Sequence, residues 1–151
     1  METPKEKLIS HLNHLITICN DGKHGYSVAA KDAESEDLKG IFYSYSVNRE
    51  EFANALRAEV NKLGGEPDLS GGPIGALHRA WIDIKSTLST NDDKAILDSC
   101  ITGERAAVNA YREVLSDALL PADIQNLASI QSVRVEEALQ RMEALYLAYT
   151  S

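Results

Sequence analysis

Apolar or small residues recur in steps of four and three from Leu8 onward: Leu8, Leu12, Leu15, Cys19, Gly22, Tyr26, Ala29 and Ala33. Only an α-helix lines such a series up on one stripe, because 3.6 residues complete a turn. The spacing predicts a helix over 4–33, opened by Thr3-Pro4-Lys5-Glu6 as a capping box with Pro at the first helical position. A second seam, Leu38, Phe42, Tyr45, Phe52, Leu56 and Leu63, predicts a helix over 36–63, with Ser35 as N-cap and Gly64-Gly65 as its stop. So short a connection makes the two an antiparallel hairpin.

The texture changes after Gly64. Gly65 to Pro73 reads as loop, and Ile74, Leu77, Trp81, Ile84 and Leu88 at helical spacing predict a short helix near 73–89. Asn91-Asp92-Asp93 then caps a helix over 92–118, whose seam is Leu97, Cys100, Glu104, Ala107, Tyr111, Val114 and Ala118. Pro121 starts the last helix, over 120–149, with its seam at Ile124, Leu127, Gln131, Val135, Ala138, Met142, Leu145 and Tyr149. A helix of about 28 residues is roughly 42 Å long, and the connector is long enough to return that distance. Two tight hairpins joined by such a crossover place the second and third long helices parallel, so the expected fold is all-α. It is a ferritin-like four-helix bundle of two helical hairpins with a long crossover containing a short fifth helix. A weak internal duplication agrees, matching Cys19 to Lys23 with Cys100 to Glu104 and Ser46 to Glu51 with Ser132 to Glu137. At 151 residues, a single domain over 1–151 is expected.

Fifteen basic against 23 acidic side chains give a net charge of −8, a field that repels phosphate backbones and anionic headgroups. Nucleic acid and membrane are therefore poor partners, and no apolar run is long enough to span a bilayer. A charged start without an apolar leader makes the cytoplasm the expected compartment.

Three segments carry a family resemblance: Leu63-Gly64-Gly65-Glu66-Pro67, Gly75-Ala76-Leu77-His78-Arg79-Ala80-Trp81-Ile82-Asp83-Ile84-Lys85, and Gly103-Glu104 followed by Tyr111-Arg112-Glu113. They resemble a bacterial family of ferritin-like four-helix-bundle proteins catalogued as a domain of unknown function, over about residues 8–118. The resemblance implies the same fold and adds no substrate. It also implies an acidic residue where this chain has Lys23.

Di-iron proteins of this architecture place a Glu on each of two helices and Glu-x-x-His on each of the other two, all at mid-bundle. Turning each seam by 100° per residue brings one polar residue from each helix to that level: Lys23, Arg49, Glu104 and Gln131. Two cations, one carboxylate and one amide do not neutralise a pair of irons. Glu-x-x-His is absent; Glu51-x-x-Asn54 and Glu137-x-x-Gln140 turn to solvent. A buried Glu104 needs a partner, so the expectation is an ion-pair network with Arg49 and Lys23, with no metal and no cofactor. The alternative is a divergent iron-binding site using Glu50, Glu104 and Glu136 after a helix rotation. The histidines His11, His14, His24 and His78 do not converge at metal spacing, and no nucleophile with a base, phosphate loop or HExxH motif is present.

The expected function is thus a non-enzymatic bundle, stress-related or structural, acting through a homo-oligomer or a partner surface. Cys19 and Cys100 each precede the polar layer by four residues on antiparallel helices, so they fall on opposite sides of it, roughly 12 Å apart along the axis. A disulfide tolerates at most about 7 Å between Cα atoms. Thiol titration of the monomer unfolded without reductant is expected to find both of the chain's 2 cysteines free; fewer would contradict the register.

Overall fold

The computed structural model describes residues 2–67 and 92–150. Within them the chain forms four helices: α1 Pro4–Asp32, α2 Glu36–Lys62, α3 Asp93–Leu115 and α4 Ala122–Thr150. None of the described residues is in a strand. The short helix expected near 73–89, with His78 and Trp81, lies outside the described residues.

Local chemistry fixes the helix ends. Thr3 caps α1 by accepting the Glu6 N–H at 3.1 Å, Ser35 caps α2 through the Leu38 N–H at 3.3 Å, and Asp92 caps α3 through the N–H groups of Lys94 and Ala95. α2 stops at Gly64, which sits at φ 77° while Gly65 N–H reaches back to Val60 C=O at 3.0 Å, a Schellman closure. α3 ends at Leu115, three residues short of the expected 118, because Asp117 turns the chain by accepting the Leu119 N–H at 2.9 Å. Pro121 follows, disfavouring helix in the residue before it and giving its carbonyl to the Gln125 N–H at 2.8 Å as α4 begins.

Contacts along the helices give the topology. Asn20, Lys23 and Ser27 of α1 meet Arg57, Glu50 and Ser46 of α2, so the two run antiparallel. His11, Cys19 and Tyr26 meet Asp117, Tyr111 and Glu104, so α3 is also antiparallel to α1. α2 and α3 are therefore parallel. Arg105 with Glu143 and Arg112 with Glu136 run α4 back along α3.

The interior divides into two apolar clusters. One holds Leu8, Leu12, Leu15, Ile16, Leu56, Val60, Val114 and Ile124; the other holds Tyr26, Phe42, Ile96, Leu97 and Met142. Cys19 belongs to the first and Cys100 to the second, and both are buried and unbonded. Among the described residues, no helix is long and apolar enough to cross a membrane.

Each end of the bundle is tied by one aspartate. Asp93 accepts the N–H groups of Glu34 and Ser35 at 2.8 and 3.0 Å and the Tyr149 hydroxyl at 3.4 Å, joining the α1–α2 turn to α3 and α4. Asp117 pairs with His11 at 3.0 Å and Lys7 at 3.6 Å. Its bond from the Leu119 N–H, then its bond to His11, hold the Asp117 carboxyl below its ordinary 3.8. A depressed folded-state value means that this stabilisation is fully present above 3.8 and is lost as pH falls through the folded value. Urea melts of Asp117→Asn are expected to show lower stability than wild type at neutral pH, with the gap closing in acid below that range; a gap independent of pH would contradict this.

Candidate functional site

The two apolar clusters are separated by a layer of polar side chains with almost no exposure. Arg49 takes a seam position of α2 between Tyr45 and Phe52, and Glu104 takes one of α3 between Cys100 and Ala107, so both point inward. Their side chains are 3% and 0% exposed. The guanidinium grips the carboxylate with both prongs: Nη1 donates to Oε1 at 2.7 Å and Nη2 to Oε2 at 2.8 Å. Tyr26, a seam residue of α1, donates its hydroxyl to the same Oε2 at 2.5 Å. The rings of Tyr26 and Phe52 stand 5.7 and 5.9 Å from Arg49 Cζ, within cation–π range. Gly22 makes room on α1: a Cβ there would lie 3.5 Å from Arg49 Cγ and 3.6 Å from Nη1, so anything longer than a methyl would contest the guanidinium's space.

A neutral chain of hydrogen bonds runs beside the ion pair. Gln131 Nε2 donates to the Phe52 carbonyl at 3.3 Å, which turns its Oε1 toward Tyr111 to accept the hydroxyl at 2.6 Å. With the Tyr111 proton so committed, the 3.3 Å contact from Cys19 Sγ must be the thiol donating to the phenol oxygen. All four helices are thereby joined at one level.

The electrostatics keep the proton donors protonated. Burial pushes the Cys19 thiol up to about 11, and burial followed by the Glu104 carboxylate raises Cys100. Burial likewise raises Tyr26, with Glu104 adding to it, and Tyr111, with Cys19 adding to it. Burial works against the charge on Arg49, but Glu104 outweighs it and holds the guanidinium above its ordinary value. These four groups therefore stay protonated at neutral pH.

Lys23 does not enter this layer. Gly22 takes the inward position of α1, and Lys23, one residue and 100° further round, stands on the flank with its side chain 47% exposed. Glu50 follows Arg49 in the same sense, so the two meet outside the core at 2.7 Å. Tyr26 fills the place in the network that Lys23 was expected to take. Sequence reasoning passed over Tyr26 and Tyr111 as apolar seam residues; the signal was that a buried phenol needs a polar partner.

The three carboxylates of the iron-binding alternative are not brought together. Glu104 is enclosed by Arg49 and Tyr26, Glu50 is held by Lys23 and Arg57, and Glu136 is 40% exposed beside Arg112. Among the described residues, no group of three or more His, Cys, Asp and Glu side chains could hold a metal ion. Glu51, Asn54, Glu137 and Gln140 are exposed, as are His14 and His24, while His11 is engaged by Asp117. The donor set does not fit a dinuclear metal centre, since Glu104, the carboxylate of this layer, already has the Arg49 guanidinium on both oxygens.

The chain belongs to the family described as a domain of unknown function (DUF2383), which it matches over residues 7–117. Among curated proteins, none matches it in sequence. Among solved structures it is similar to a bacterioferritin from Rhodobacter capsulatus with a metal-free dinuclear site and a heme iron. The two are 20% identical, with 99% of this chain and 89% of that chain covered and a TM-score of 0.78. It is similar also to the bacterioferritin-related protein of Bacteroides fragilis, a dodecameric thioferritin, at 19% identity, the same coverage and a TM-score of 0.78. Likeness at that identity establishes the ferritin-like fold.

Glu104→Ala leaves a cation uncompensated in the core and is expected to cost on the order of 3–5 kcal/mol in urea melts. Replacing Arg49 and Glu104 together, as Arg49→Met with Glu104→Leu, is expected to be much milder than the two single changes summed, because the desolvation penalty leaves with the charges. A single change within error of wild type would contradict the burial of the pair.

Proposed function

We propose that this member of the family is a non-enzymatic ferritin-like bundle with a structural or stress-related role. It acts as a homo-oligomer or through a partner surface, and an ion pair stands at the level where di-iron bundles place their metal. The observation that carries this reading is the two-pronged grip of Arg49 on Glu104, which already sets a cation on both oxygens of that buried carboxylate. Supporting it, the thiols and phenols around the pair are protonated and unsuited to nucleophilic chemistry.

Surfaces are what remain for function. Tyr43 and Val47 lie one turn apart on the outside of α2, 66% and 42% exposed, and Ile130 and Val133 do the same on α4 at 53% and 55%. Apolar groups grouped in this way suit contact with another protein, and the dodecameric thioferritin offers a precedent for assembly in this fold. Two free, buried thiols accord with a reducing compartment, which supports the cytoplasm.

The second reading, favoured by likeness to the bacterioferritin, is a divergent iron-binding protein using Glu50, Glu104 and Glu136. It requires α2 and α4 to turn so that two flank carboxylates enter the core and Arg49 leaves it. Elemental analysis after incubation with ferrous iron and desalting separates the two. The expected result is iron far below one equivalent per chain, unchanged by Glu104→Ala, from a protein that sediments as an oligomer. Bound iron near one equivalent, lost on Glu104→Ala, would install the iron-binding reading instead.

A further inference from the structure

Di-iron bundles hold their metal ions at mid-bundle between carboxylates of different helices. This chain holds a fixed organic cation at that level, in a slot that matches its shape. Glu104 closes the end of the slot and meets both Nη atoms at 2.7 and 2.8 Å. Tyr26 holds Glu104 independently, through its hydroxyl on Oε2 at 2.5 Å, so the carboxylate is oriented from α1 as well as from α2. Two aromatic rings lie within cation–π range of the guanidinium carbon, Tyr26 from α1 and Phe52 from one turn further along α2. Gly22 supplies the clearance on the α1 side. Planar width, aromatic walls and a two-oxygen acceptor together describe a guanidinium and not a spherical ion. Among the described residues, buried Arg49 Nε has no hydrogen-bond partner, so the slot engages the terminal fork and not the stem.

We propose that this slot is a guanidinium-binding site whose occupant the chain itself supplies, with Arg49 standing as the resident cation in place of a metal. The walls that select the guanidinium come mainly from Glu104, Tyr26, Phe52 and Gly22, so truncating Arg49 leaves a site for a free ion of the same class. A metal ion finds one carboxylate, a phenol and an aromatic ring there, too few donors to replace its water. The proposal goes beyond the reading above, because it concerns what the layer selects and holds whatever surface the protein acts through.

Chemical rescue tests it, on the full chain carrying Arg49→Ala. Methylguanidinium chloride at millimolar concentration is expected to raise the melting temperature of this variant, the rise growing with the logarithm of concentration as binding to the native state requires. Methylammonium chloride and manganous chloride at equal concentration are expected to leave it unmoved. The wild type and the Arg49→Met/Glu104→Leu variant are expected to gain from none of the three. If Arg49→Ala does not fold unaided, the same salts are compared for the helical signal recovered on refolding, and recovery with methylguanidinium alone is the supporting result. Arg49→Lys, which keeps the charge and loses the fork, is expected to melt well below wild type. The proposal is overturned by the absence of any methylguanidinium effect, an equal effect from methylammonium, a larger one from manganese, an equal gain in the wild type, or an Arg49→Lys melt matching wild type.

Discussion

The pair formed by Arg49 and Glu104 is the constraint around which the rest of the bundle is arranged. Two charges removed from water are costly, and only close, multiply hydrogen-bonded contact offsets the loss. The fold meets that requirement from three helices at once: Arg49 from α2, Glu104 from α3, and the Tyr26 hydroxyl from α1. Sliding α2 or α3 by a turn would strand a charge in an apolar core, and sliding α1 would part the Tyr26 hydroxyl from its acceptor, whereas leucine against leucine would tolerate the slip. The layer therefore acts as a register lock between two otherwise uniform apolar clusters.

The same arrangement explains why, among the described residues, this ferritin-like fold lacks the donors of a metal centre. A dinuclear site needs several carboxylates facing inward, with their charge offset by the ions they bind. In this layer the carboxylate is Glu104, and its charge is offset by a covalently attached cation, Arg49. The other acidic candidates, Glu50 and Glu136, lie on the flanks and are neutralised there by Lys23, Arg57 and Arg112. Burial then keeps the surrounding thiols and phenols in their neutral forms.

Much of the fold was legible because helical periodicity and end signals are local. The seams of α1 and α2, the caps at Thr3, Ser35 and Asp92, and the stop at Gly64 depend on residues within a turn or two of one another. The end of α3 was less legible, since the turn there depends on how Asp117 is used: its side chain folds onto Leu119 and reaches across to His11, contacts that no seam announces. Of the layer, Arg49, Glu104 and Gln131 were identifiable as polar residues at apolar positions. Lys23 was misplaced because a residue beside a seam can face inward or lie on the flank, and the smallness of Gly22 decided the matter by letting Arg49 occupy the space.

The sequence by itself determined that the chain is helical, that its helices pair as two hairpins, and that polar groups interrupt the core at mid-length. These follow from a 3.6-residue repeat and from connector lengths, which each stretch of chain carries alone. Only the tertiary structure decided which polar groups partner one another, that Tyr26 and not Lys23 completes the ion pair, and that Gln131 orients a chain reaching Tyr111 and Cys19. A hydrogen bond depends on where atoms of distant segments fall to within a few tenths of an ångström. Helix rotation and axial offset set those positions, and packing against neighbouring helices sets both.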